Sequence, residues 1–311
     1  MQVFDKLGLG VENDNRGDGL KSIREGFASL INRVINPLIT GIRMELIPLM
    51  EALEQPNSCN AKLPVGTKST VIYHPSIISL QTLMPVYTRA LTAYITSLSH
   101  STLASLLISV LWRALVALSH RIDINMSPSL TPESSPLLTP RKRGTTPPSP
   151  SPSSKHTIAS AAMDCRVLYD LLVQLPRPSA GSASTRLAKE AVDQAFEGLK
   201  TLPTLLDIAT NKVRLGTTED CIKKFNDLTT KIPSLIALPI ILRAFSRPGV
   251  SSVSALLGIT EEEYRNNCLS GFGRAEECTV TIAQRVMDEL QTNPSMNVIV
   301  IRWLGMELED A

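Results

Sequence analysis

Residues 90–112, ALTAYITSLSHSTLASLLISVLW, contain no Asp, Glu, Lys or Arg and are long enough to cross a bilayer. A membrane span, an interfacial helix and a helix buried in protein all fit that length. Three features favour burial in protein. The first half is diluted by Thr92, Thr96, Ser97, Ser99, His100 and Ser101, a poor match to hydrocarbon. Arg89 and Arg113 flank the stretch symmetrically and give no orientation bias. The more apolar part, 103–118, contains Arg113. The stretch therefore reads as part of one bundle helix over about 87–122, with Leu91, Ile95, Leu98, Leu106, Val110, Leu111, Leu115 and Leu118 on its apolar side.

Upstream, Leu20, Ile23, Phe27, Leu30, Ile31, Val34, Ile35, Leu38, Ile42, Leu46, Leu49 and Leu53 recur at steps of three and four, the pattern of one helix face. Pro37 and Pro48 fall inside it and predict kinks or two to three consecutive helices. A loop over 55–66 and a β-prone piece over 69–74 follow. Pro75 and Pro85 bracket a short helix. Residues 1–19, rich in glycine and polar groups, predict a disordered start.

Downstream of the long helix, eight of the 21 prolines lie between Ser127 and Ser154, interleaved with serine and threonine. Such a segment cannot bury enough apolar surface to offset the entropy of ordering it. It predicts a disordered insertion over 126–157 that separates a helical block at 20–125 from another at 158–311. Helices are expected from 157 to 174, from 186 to about 215 with Pro203 as a break, and at 220–230, 234–245, 250–257, 260–269 and 274–291. Ser184 or Thr185, and Thr217 or Thr218, offer caps. The tail at 296–306 fits either a helix or an edge strand. Without alternating strand and helix, an all-α bundle or stacked-helix rod interrupted by a disordered Pro/Ser-rich insertion is the expected architecture. Only 4% of residues are aromatic, so Leu, Ile, Val and Ala must fill the core.

Catalytic templates fail one by one. His74, His100, His120 and His156 lie far apart, and neither Cys-x-x-Cys nor His-Glu-x-x-His occurs, so no metal site or cofactor is expected. Gly271-Phe272-Gly273 reads as a tight turn between helices. Glu261-Glu262-Glu263 and Glu276-Glu277 read as first-turn acids that complement helix dipoles. Cys59, Cys165, Cys221, Cys268 and Cys278 are odd in number and scattered, which predicts reduced thiols in a cytoplasmic protein and no disulfide framework. No apolar run stands behind a basic patch at the start, so no secretory signal is expected. A formal charge of +2 argues against a nucleic-acid binder, which needs a basic face. The expectation is a non-enzymatic chain with protein partners, no small-molecule substrate, and at most an indirect, peripheral relation to membranes.

The Pro/Ser-rich segment carries one dense signal. Ser127, Thr131, Ser135, Thr139, Thr146, Ser149 and Ser151 each precede proline, and Arg141 and Lys142 follow Thr139 as proline-directed kinases favour. Thr139, Ser135, Thr146, Ser149 and Ser151 are the candidate phosphorylation sites; an inert spacer of biased composition is the alternative. Arg141, Lys142, Arg143 and Lys155 stand there against Glu133, so several phosphates would reverse the segment's sign.

The order of helices over residues 22–215 resembles the C-terminal Munc-homology (MUN-type) segment of exocytic priming proteins. The residues that carry it are His74-Pro75-Ser76-Ile77 and Leu111-Trp112-Arg113-Ala114-Leu115, followed by a variable loop. The chain is similar as well to the helical rods of multisubunit tethering complexes. This resemblance implies a stacked-helix scaffold or tethering-type subunit of vesicle trafficking or exocytosis. It supplies no catalytic residues, and without the family's C2 module membrane binding by the usual route is in doubt. A soluble helical adaptor of an unrelated intracellular complex is the other reading.

Overall fold

The computed structural model describes residues 18–56, 71–94, 100–121, 157–179, 183–210, 217–245, 252–292 and 298–309. Among them the chain is an all-α bundle with one pair of two-residue strands. The elements are α1 (Asp18–Ala52), β1 (Val71–Ile72), α2 (Pro75–Tyr94), α3 (His100–His120), β2 (Thr157–Ile158), α4 (Ala161–Leu172), α5 (Ala183–Thr210), α6 (Thr218–Thr229), α7 (Ser234–Phe245), α8 (Val253–Leu256), α9 (Glu261–Cys268), α10 (Phe272–Gln291) and α11 (Val298–Glu309).

Helix α3 is the axis. It packs against α1, α5 and α7, and Leu103, Leu106, Leu107, Val110, Leu111, Trp112, Leu115 and Leu118 are all buried. It is long and apolar enough to cross a membrane, and here that apolar surface is covered by the chain's own helices. The expected single helix over 87–122 is corrected: 90–94 ends α2, α3 begins at His100, and 95–99 lie outside the described residues.

Prolines interrupt less than the sequence predicts. Pro37 and Pro48 lie within a continuous α1, Pro85 within α2 and Pro203 within α5. Other boundaries move by a few residues. Thr157 belongs to β2, where Val71 pairs with Thr157 and Ile72 with Ile158 in parallel, and helix resumes only at Ala161. Helix α5 starts at Ala183, ahead of the expected Ser184 or Thr185 cap. The tail is helix α11, whose Trp303 indole donates to Thr229 Oγ1 at 3.4 Å and fixes it on α6.

Two helix starts follow the expected chemistry. Thr217 and Asp220 form a reciprocal capping box at α6, as do Thr260 and Glu263 at α9. By contrast, α10 begins at Phe272, so Glu276 and Glu277 lie beyond its first turn; Glu277 instead pairs with Arg274 at 2.8 Å.

The core runs without a break from Ile35 in α1 to Leu304 in α11. Helices on both sides of residues 122–156 thus share one apolar interior, with α1 and α5 both packed on α3. Those intervening residues, Thr139, Ser135, Thr146, Ser149 and Ser151 among them, lie outside the described residues, as do 1–17. The shared core makes a prediction. A chain nicked by trypsin at Arg141, Lys142 or Arg143 should still elute as one particle on native size exclusion and separate only in denaturant. Two fragments eluting apart in native buffer would contradict a common core.

Candidate functional site

Among the described residues, the buried ion pair Arg121–Asp164 lies at the end of α3. A helix ends with carbonyls that have no partner within it and with a partial negative charge. Arg243 of α7 meets that end: its Nη1 donates to His120 O at 2.8 Å and its Nη2 donates to Ser119 O.

One residue past the helix, Arg121 turns the other way. Its Nη1 donates to Asp164 Oδ2 at 2.6 Å and its Nη2 to Ala159 O at 3.3 Å. Both members of the pair are sealed, with side chains 1% and 0% exposed. Asp164 Oδ1 accepts the backbone N–H of His74 at 3.1 Å, just before α2. The His74 ring then accepts the Ser76 N–H at Nδ1. Beside this cluster, Ala159 N–H donates to Ile72 O at 2.9 Å, which extends the two-strand pairing. Burial pushes the Asp164 carboxyl above its ordinary value, against the hydrogen bonds from Arg121 and the His74 backbone. Burial, helped by the Arg121 charge, holds His74 below its ordinary value.

A second cluster lies across the same helix end. His120 Nε2 stands 3.7 Å from Glu261 Oε1. The Arg265 guanidinium donates to Glu261 through Nε at 2.8 Å and forks onto both oxygens of Glu54 at 2.7 Å. Ser254 Oγ donates to Glu261 Oε2 at 2.8 Å. The end of α1, the end of α3, α8 and α9 are joined this way. Burial lowers His120, while hydrogen bonds from Arg265 and Ser254 outweigh burial at Glu261 and hold its carboxyl low. Glu261 therefore does more than complement the dipole of α9. Both carboxylates are occupied by donors from within the chain, the arrangement of a structural lock.

His100 and His120 do share α3, at its two ends; His100 Nδ1 lies 3.2 Å from Ser179 Oγ. Among the described residues no group of three or more His, Cys, Asp or Glu is placed to hold a metal ion. Sequence reading missed the Arg121–Asp164 pair. Its signal was a carboxylate among Ala161, Ala162, Cys165 and Leu168, on the apolar side of α4.

Two surface features remain. A groove of about 460 Å3 runs along α3, lined by Ser101, Ser105, Ser109, Trp112, Arg113 and Gly271. The other is the first half of α1. Among the described side chains of α1, Ile35, Ile39, Ile42, Leu46 and Met50 are buried. Ahead of it, Ile23, Phe27, Leu30 and Val34 are 50%, 49%, 57% and 60% exposed. At 3.6 residues per turn the centres of these two stripes are roughly 120° apart.

Removing one partner of a buried ion pair strands the other, at about 3–5 kcal/mol, whereas replacing both with apolar groups is often neutral. Asp164→Ala should therefore destabilise the chain by about that much in urea unfolding. The double variant Arg121→Met/Asp164→Leu should recover most of the loss; equal destabilisation by both would refute the stranded-charge account.

The second cluster gives a pH prediction. A histidine lowered in the folded state binds fewer protons there than when unfolded. Its contribution is intact above the unfolded value of about 6.5 and is lost as pH falls below it. Between pH 7.5 and 5.5 the urea midpoint of the natural chain should fall more steeply than that of His120→Gln. Parallel slopes would remove His120 from the acid response. Comparison with family models, curated proteins and solved structures finds no match for this chain.

Proposed function

We propose that the chain is a non-enzymatic helical scaffold that docks another helix along the projecting half of α1. The observation that carries this reading is the stripe of Ile23, Phe27, Leu30 and Val34, each about half exposed or more. Its spacing is four, three and four, so Ile23 and Leu30, and Phe27 and Val34, are each one heptad apart. That is the repeat by which helices pack knobs into holes. Fully burying such a side chain contributes about 1.5–3 kcal/mol. Covering what is still exposed of four would supply on the order of 3–6 kcal/mol, to which the partner helix's own apolar face adds, against an association cost of about 4–15 kcal/mol. The occupant that suits a two-heptad stripe is an amphipathic helix with the same repeat.

The resemblance over 22–215 supports a tethering-type subunit of vesicle trafficking as the finer form of this proposal, cytoplasmic and regulated through Thr139 and its neighbours. A helical adaptor of another complex would use the same stripe.

The test is affinity purification of the full chain beside Phe27→Glu/Leu30→Glu, with Val280→Glu as the exposed control. Helical subunits of one complex should co-purify with the natural chain and the control and drop at least tenfold with the double variant. An unchanged set would overturn the proposal. A concentration-dependent dimer abolished by the double variant would make the occupant a second copy.

A further inference from the structure

The turn between α9 and α10 brings two cysteines together. Cys268 is the last residue of α9 and Cys278 lies in the second turn of α10, so folding back at Ser270–Gly271 sets them side by side. The Cys268 thiol lies close enough to Cys278 for the two side chains to interact. The Cys278 thiol in turn donates to Asn267 O at 3.7 Å. Arg274 Nε donates to the same Asn267 O at 2.7 Å, so a guanidinium stands at the pair. Cys268 is buried and Cys278 partly exposed. On α9, the buried Tyr264 hydroxyl has no hydrogen-bond partner among the described residues.

From this geometry we propose that Cys268 and Cys278 are a redox dithiol, reversibly oxidised by a peroxide to an intramolecular disulfide. The two sulfurs have different roles. Cys278 is the sulfur reachable from solvent and shares the Asn267 carbonyl with the Arg274 guanidinium, so it is the one that meets the peroxide. Cys268 is buried and its thiol is pushed up to about 11, so it keeps its proton until its partner has reacted. In the first step the Cys278 thiolate attacks one peroxide oxygen. An S–O bond forms, the O–O bond breaks, and the released hydroxide takes a proton to leave as water. In the second step the Cys268 sulfur attacks the Cys278 sulfenic sulfur. An S–S bond forms, the S–O bond breaks, and the leaving hydroxide takes the Cys268 proton. Two thiols and one hydrogen peroxide give one disulfide and two waters, and a thiol reductant such as glutathione reverses the change.

The consequence is local. Leu269, Ser270 and Gly271 lie between the two cysteines. Leu269 O accepts the Trp112 indole N–H at 2.6 Å, and Trp112 packs at a tilt against Phe272 with centroids 4.5 Å apart. Ser270 and Gly271 form a wall of the groove along α3. Closing the disulfide pins that wall. The site is remote in sequence from α1 and does not rest on the scaffold reading.

The test uses the full natural chain, a small excess of hydrogen peroxide, blocking of remaining thiols with N-ethylmaleimide, and tryptic digestion without reductant. The expected product is peptide 266–274 joined to peptide 275–285, lost on adding dithiothreitol, with Cys165 and Cys221 still alkylated. In Cys268→Ser, which lacks the second sulfur, Cys278 should be trapped by dimedone as the sulfenic acid. Recovery of Cys268 and Cys278 as separate alkylated peptides would overturn the proposal. So would coupling of Cys278 to any other cysteine or to a second copy of the chain.

Discussion

Arg121 and Asp164 each carry a charge into the interior, and neither can be buried without the other. Taking one such ion out of water costs several kcal/mol even after relaxation. That expense is offset by a 2.6 Å ion pair, the His74 N–H on the second carboxylate oxygen, and a bond from Arg121 to Ala159 O. The two charges come from opposite sides of residues 122–156. A helical block folded alone, before or after that segment, would hold an unpaired charge beside its apolar face. The pair therefore makes the two blocks one folding unit, and it selects the register in which α3, α4 and the start of α2 meet. Whatever occupies 122–156, its two ends are held by this node and by the adjoining strand pair.

The same helix end explains why so many guanidiniums converge. Arg243 takes the last carbonyls of α3, Arg121 leaves the helix toward α4, and Arg265 bridges Glu261 to Glu54. An apolar helix wrapped by others cannot rely on water for its final carbonyls, so side chains from neighbouring elements must serve. Tertiary structure is thus written around the termini of α3 as much as along its sides.

Periodicity in the sequence identified most of the helices, the Thr217 hydroxyl with the acids after it marked the start of α6, and the first-turn acids Glu261, Glu262 and Glu263 marked that of α9. Prolines misled. The ring at Pro37, Pro48 or Pro85 removes one helical hydrogen bond, to the carbonyl four residues earlier. Those earlier residues, Arg33, Met44 and Gln81, are exposed, as are the prolines, so water can take the freed carbonyl. At Pro203 and Pro239 the ring itself is buried and adds apolar area to the core. Neither outcome is visible in a residue count, because each depends on which side of the helix faces the bundle. The polar node was hidden for a related reason. Its pair is 43 residues apart in sequence, and only the burial of Asp164's neighbours marks it.

The sequence showed α1 as a single apolar face because Ile23, Phe27, Leu30 and Val34 are apolar residues at the same steps of three and four as Ile35, Ile39, Ile42, Leu46 and Met50 in the core. Their environments differ, and energetics separates them. A helical segment without tertiary packing is marginal in water, and a glycine within it costs about 1 kcal/mol relative to alanine. The projecting half contains Gly26, where an added Cβ would meet no other described atom within 4 Å, so no described internal contact accounts for a glycine there. That half is nucleated by the packed half, which removes the first obstacle, but it gains little from its own apolar groups while they face water. A second helix laid along the stripe would convert those groups from an exposed surface into a packed one. It would do so without disturbing the node at the far end of α3, because the two α1 stripes face different ways.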